Sequence, residues 1–397
     1  MSNPKLALIP SGYKSGTVYS ILPNDASGDF DFDRASVGTR VRKDGLIEEV
    51  TNDVPRLDWL NSNCPSLLLE SQRTNDTTYS EDFTQTSYWN DVIDVVATKD
   101  EAIAPDGTLT ANKIQANSGT NFKILRKGAF TIPSGVTMSM FVKRGNHDYI
   151  IFKAQGDYSF NLSTLTWGGS YSNVGYEDYG NGWIRLYATT TSSVLSYFGI
   201  YLTDSSFNQS WTATGNEFVY VWGAQYETGS YPTSYIKTEG STVTRLADEC
   251  LNGGDSDLFD ITEGTFFVDA NNFGTPLNNF SMITLSNGSN NFVRFIYESS
   301  RIRVTVENPS VQQDYFITGV SDNQRNKVAI TFKENEFKTY LNGVLKDTDT
   351  SGLIPTGFDR LNFANQYGTG RHFEGKVYDT RVYDRVLTEA EAIELTT

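Results

Sequence analysis

The stretch Arg301-Ile302-Arg303-Val304-Thr305-Val306-Glu307 alternates without a break. Ile302, Val304 and Val306 fall on one side, and charged or polar residues fall on the other. A period of two marks a strand with one buried face. The pattern returns in Asn326-Lys327-Val328-Ala329-Ile330-Thr331-Phe332-Lys333, with Val328, Ile330 and Phe332 inward. Phe337-Lys338-Thr339-Tyr340-Leu341 follows, then Asn342-Gly343, then Val344-Leu345-Lys346. Asn-Gly between two apolar strands predicts a tight hairpin, because both residues tolerate positive φ. Near the end, Thr388 and Glu391 fit a capping box, which predicts a short terminal helix. Residues 260–397 therefore read as an antiparallel β-sandwich.

Working upstream, residues 241–259 read as a linker and 78–240 as a second sandwich. Its strand-like stretches include 137–143, 149–152, 183–187, 198–202 and 218–222, with Gly, Asn, Asp and Ser between them. In the first of these, Met138, Met140 and Val142 share one face, and Thr137, Ser139 and Lys143 lie off it. Short strands so spaced suggest a jelly roll. Residues 1–77 hold only short extended pieces between turn signals. Such a segment is expected to pack on the next domain or on another subunit. The fold class is all-β: an N-terminal extended anchoring segment, then two antiparallel β-sandwiches. One short echo, Ser36-to-Val41 against Ser241-to-Leu246, suggests two similar segments that pack in related ways.

Composition agrees. The 397 residues are 13% aromatic and include 33 Gly, the profile of a thin-layered β protein. A formal charge of −16 argues against nucleic acid and against insertion at an anionic membrane, which both reward a positive face. No segment approaches the roughly 20 apolar residues needed to span a bilayer. The N-terminus lacks the basic and apolar pattern of a secretory signal, so synthesis in a host cytoplasm is expected. Cys64 and Cys250 cannot build a disulfide framework. They read as two buried free thiols, with a single bridge as the alternative.

A catalytic reading finds little. Sandwich glycosidases need two carboxylates at a set separation, and no Glu-x-Asp pair occurs. Glu334-x-Glu336 and Glu389-x-Glu391 read as solvated surface. His147 and His372 each stand among polar neighbours and read as lone surface histidines. No nucleophile elbow, phosphate loop or paired-histidine motif appears.

Sugars stack C–H faces on aromatic rings and bond to amides and guanidinium groups. That chemistry selects Trp167, Tyr171, Tyr176 and Tyr179 as a platform in the middle domain. Trp211 is ambiguous between platform and core, while Trp183 and Trp222 read as core. In the last domain Asn365, Tyr367 and Arg371 could form a rim with the loop at Asn271-Asn272-Phe273.

The run from Val328 through Tyr340-Leu341-Asn342-Gly343, Arg360-Leu361-Asn362-Phe363, Phe373-Glu374-Gly375 and Tyr383-Asp384-Arg385-Val386-Leu387-Thr388 resembles the concanavalin A-like, laminin-G-like sandwiches. It departs where Ala364-Asn365 replaces a common Gly. Residues 78–240 resemble a carbohydrate-binding-module jelly roll, through Tyr79-Ser80-Glu81-Asp82-Phe83, Gly180-Asn181-Gly182-Trp183 and Gly223-Ala224-Gln225-Tyr226-Glu227. The segments around Phe32-Asp33-Arg34, Val54-Pro55-Arg56-Leu57-Asp58, Leu67-to-Asn75 and Tyr231-to-Asp248 resemble the leader and join of bacteriophage structural proteins.

That last resemblance implies a virion component, a head or tail fibre or a capsid decoration. Residues 1–77 would meet other virion proteins, and the sandwiches would meet a host surface glycan. A homo-oligomer, a trimer by analogy with fibres, is implied. No cofactor is required, and a structural Ca²⁺ is compatible with both sandwich families. The alternatives are a purely structural decoration and a polysaccharide depolymerase.

Overall fold

The computed structural model describes residues 3–273 and 280–397. It divides into two compact units that interleave in sequence. One contains Met1–Arg40, Val50–Gln72 and Leu246–Thr397; the other contains Val41–Glu49 and Arg73–Arg245. Apart from the single helix Glu389–Thr396, every regular element among the described residues is a strand.

The first unit is a sandwich of an eight-stranded and a five-stranded antiparallel sheet, counted among the described residues. Arg301–Asn308 lies between Phe292–Glu298 and Ser310–Thr318 in the smaller sheet. Ile302, Val304 and Val306 are buried inward, as their alternation predicts. Facing them, Arg325–Lys333 pairs with Gly264–Asn272 and contributes Val328, Ile330 and Phe332 to the same core.

Leu341 pairs with Val344 across Asn342 (φ 47°) and Gly343 (φ 76°), so the hairpin forms as a two-residue turn. At the helix, the Thr388 side chain accepts from the Glu391 N–H, and the Glu391 side chain reaches back to the Thr388 N–H. The capping box is complete.

The N-terminal segment enters this sandwich. Leu6–Leu8 pairs with Gly375–Tyr383, and so does Ser66–Leu69. Leu6, Leu8, Leu67 and Leu69 lie in the common core. Burying each such side chain is worth about 1.5–3 kcal/mol, enough to make the segment integral to the unit.

Around it, charge is buried. Arg34 pairs with Asp248 at 3.0 Å, and Arg56 bonds both Asp248 and Glu70, the latter at 2.6 Å. Burial alone would depress the Arg56 guanidinium, but the Asp248 and Glu70 carboxylates outweigh it and raise its pKa. Arg34, Arg56, Glu70 and Asp248 of the leader and join motifs are thus one internal network.

The second unit is a sandwich of a seven-stranded and a six-stranded sheet, again among the described residues. Met138, Met140 and Val142 face its core together with Ile150, Phe152, Phe198 and Ile200. The outward face of the six-stranded sheet is covered. Tyr235 packs on Trp222 (centroids 4.4 Å apart), and Arg185 Nη1 donates to the Thr233 carbonyl. The echo between Ser36-to-Val41 and Ser241-to-Leu246 does not extend to packing. Arg40 lies over the Tyr13 ring, whereas Arg245 is buried and donates to Ser234 Oγ.

Both cysteines are free thiols, as one reading expected. Cys250 is buried but Cys64 is exposed, which corrects the expectation of two buried thiols. Among the described residues no helix is long and apolar enough to cross a membrane.

Candidate functional site

The middle-unit platform forms only in part. Phe160 gathers Trp167 (4.8 Å) and Tyr176 (5.6 Å), and Trp167 meets Tyr171 at 6.0 Å. Every one of these contacts is edge to face, so the rings close against one another. Tyr176 is the exposed member, at 40%. Tyr179 does not join them. It is buried against Phe141 at 4.8 Å, within the layer that covers the six-stranded sheet. The alternation of a strand does not reveal a second covering layer.

Trp211 stacks on His147 at 5.2 Å and donates its indole N–H to the Leu202 carbonyl. His147 is therefore not a surface residue. It is 8% exposed, with Nε2 within hydrogen-bonding reach of the Thr203 and Tyr149 carbonyls. Burial lowers its pKa.

A cleft of about 330 Å³ in the same unit is lined by Glu81, Asp82, Lys99 and Lys237 among others. Glu81 and Asp82 are already engaged. Burial would raise Asp82, yet donation from Lys99, Thr84 and Gln85 brings it down to about 2. Burial raises Glu81, which holds Lys237 at 3.3 Å and accepts from the Tyr235 hydroxyl.

In the other unit, Asn365, Tyr367 and Arg371 share the loop leaving strand Arg360–Asn362, but Asn271 and Asn272 are no loop: they end strand Gly264–Asn272 of the eight-stranded sheet, where backbone pairing to both neighbouring strands engages them. Asn365 builds this loop. Its Oδ1 accepts from the N–H groups of Tyr367 (3.1 Å) and Thr369 (3.0 Å), and its Nδ2 donates to the Thr369 carbonyl. Asn365 is thus a scaffold rather than an open contact. Tyr367 is held outward, 52% exposed, with its hydroxyl donating to Asn290 Oδ1. Arg371, at φ 56°, lies 3.9 Å over the Phe280 ring. His372, also expected at the surface, is part-buried, and burial lowers its pKa.

The loop is fastened to the outer face of the five-stranded sheet. Thr284 and Ser286 donate to the Ala364 and Gln366 carbonyls, and the Met282 N–H donates to the Arg371 carbonyl.

Beside it on that face stands Arg294, which the sequence reading did not single out. Its neighbours Val293 and Phe295 point into the core, so it points outward. It lies over Phe292 at 4.1 Å, and its Nη1 reaches Gln366 Oε1 at 3.4 Å. Its Nε is buried with no hydrogen-bond partner. Thr305, its cross-strand partner, also has a buried hydroxyl without a partner. Among the described residues, no group of three or more His, Cys, Asp or Glu is placed to hold a metal ion.

Comparison with known proteins covers part of the chain. The family model of the concanavalin A-like lectin/glucanases superfamily, of laminin-G type, matches residues 265–392. No curated protein matches the chain. Among solved structures, the CBM40 of an IT-sialidase from Ruminococcus gnavus, bound to alpha2,3 sialyllactose, is 18% identical. It covers 34% of this chain and 84% of its own, with a TM-score of 0.30.

A heptameric SAP-like pentraxin from Limulus polyphemus is 16% identical, covering 34% of this chain and 70% of its own at a TM-score of 0.29. The NanB sialidase of Streptococcus pneumoniae is 16% identical, covering 36% and 25% at a TM-score of 0.29. At these scores the solved structures carry no argument about ligand or activity. The family match and the observed topology agree on one statement: residues 265–392 form a concanavalin A-like, laminin-G-like domain.

Proposed function

We propose that the protein is a non-enzymatic attachment protein that binds glycan on the outer face of the five-stranded sheet. The observation that carries this reading is Tyr367. Its ring is half exposed, yet its backbone is fixed by Asn365 and its hydroxyl by Asn290. A rigid aromatic ring with polar groups beside it suits the apolar face and the hydroxyls of a sugar. The match of residues 265–392 to a lectin-containing superfamily supports the reading. The engaged carboxylates of the Glu81–Asp82 cleft favour binding over hydrolysis.

The setting we propose is a bacteriophage virion, as a head or tail fibre or a capsid decoration. Its support is the leader and join motifs alone. Since the leucines of residues 1–77 lie in a core, anchoring would fall to the surfaces this segment leaves exposed. Trimeric display would raise avidity by roughly 10²–10⁴ over one weak site.

A glycan array probed with the intact chain tests the binding claim. Binding that Tyr367→Ala weakens at least tenfold is expected. A blank array, or unchanged binding by the variant, contradicts it. Immunogold labelling of phage particles tests the setting, and particles without label refute it. Release of reducing sugar from a host polysaccharide would overturn the non-enzymatic assignment.

A further inference from the structure

Four arginines project from the outer face of the five-stranded sheet or its edge: Arg294, Arg301, Arg303 and Arg360. Three have a carboxylate of their own. Arg301 pairs with Glu298, Arg303 with Asp314, and Arg360 with Asp359 at 2.7 Å. The open sheet face of the other unit follows the same rule, with Arg126 on Asp91 and Lys153 on Asp157.

Arg294 is the exception. It makes no ion pair, its Nε has no acceptor, and its one polar contact is a long bond from Nη1 to Gln366. Glu307 and Asp314 lie close enough to favour its charge, and Arg303 opposes it. A desolvated guanidinium without a direct ion-pair partner is unfavourable for the fold. It becomes favourable when an anion with two oxygens meets the planar fork, since charge-assisted bidentate bonds are the strong ones.

We infer that the glycan bound on this face is anionic, and that Arg294 receives its carboxylate or sulfate. The inference rests on the proposed glycan-binding reading. An overall charge of −16 repels polyanions at long range, so recognition must come from this local cation.

The test uses the intact chain and four probes: tetragalacturonate, its carboxyl-reduced neutral counterpart, dextran sulfate and dextran. Binding of a charged member at least tenfold tighter than its neutral counterpart is expected, and the preferred pair tells carboxylate from sulfate. Arg294→Gln should abolish the preference. Arg294→Lys should weaken it, because lysine keeps the charge but loses the fork. Should either variant fold poorly, the Arg294 Nε–H resonance of the wild type, shifting on titration, gives the same answer. Equal binding of charged and neutral probes, or an unmoved Nε–H signal, overturns the inference and leaves glycan binding standing. Failure to bind any glycan on the array removes both.

Discussion

Arg34 and Asp248, 214 positions apart in sequence, pair at 3.0 Å with both side chains wholly excluded from solvent. Asp248 also receives Arg56 and the Glu70 N–H. One carboxylate thereby ties three segments of the first unit together. Removing one partner of a buried ion pair leaves an uncompensated charge, at about 3–5 kcal/mol. Asp248→Asn should lose that much stability in urea unfolding. A loss under about 1 kcal/mol would show that the network is dispensable.

The terminal helix depends on its cap. Thr388 accepts from the Glu391 N–H, and the eight-residue helix packs against Phe267 and Tyr340. Thr388→Ala should cost about 0.5–2 kcal/mol, the usual range for an N-cap. Hydrogen exchange should rise first in residues 389–396.

Gly343 completes the hairpin turn at φ 76°, and a Cβ there would stand 2.8 Å from Thr397 Oγ1. Gly343→Ala should therefore destabilise by about 1 kcal/mol through the left-handed backbone alone. Thermal melting of the variant checks it, and an unchanged midpoint would refute the strain.

His147 gives the second unit a pH response. Burial lowers its folded pKa below the ordinary 6.5, so the unfolded chain takes up a proton first. Its contribution is complete above that value. It is lost as pH falls from there through the lower folded pKa. His147→Gln should remove this part of the pH dependence between wild type and variant. The difference between the two urea midpoints should shrink as pH falls from 7.5 to 5, and a constant difference would refute it.

Much of this architecture was legible in local patterns. Alternation in 301–307 and 326–333 located both sheets of the C-terminal sandwich, and Asn342-Gly343 located the turn between its strands. Features that depend on distant packing were not. Arg34 and Arg56 look like surface residues until Asp248 and Glu70 arrive from elsewhere in the chain. Tyr179 looks like part of an aromatic platform until the segment near Tyr235 covers its sheet. Arg294 left a weak signal, because its outward companions Phe292 and Ile296 are apolar and blur the period of their strand. Asn365 and Tyr367 were found as a polar loop, but only the hydrogen bonds separate the scaffold from the exposed ring.

The proposed glycan site lies on the outer face of the five-stranded sheet. Hydrogen exchange of the intact chain, with and without a glycan found on the array, tests it most directly. Slowed exchange in 280–308 and 364–372, with the second unit unchanged, is expected. Protection confined to the second unit, or absent everywhere at saturating glycan, would contradict it.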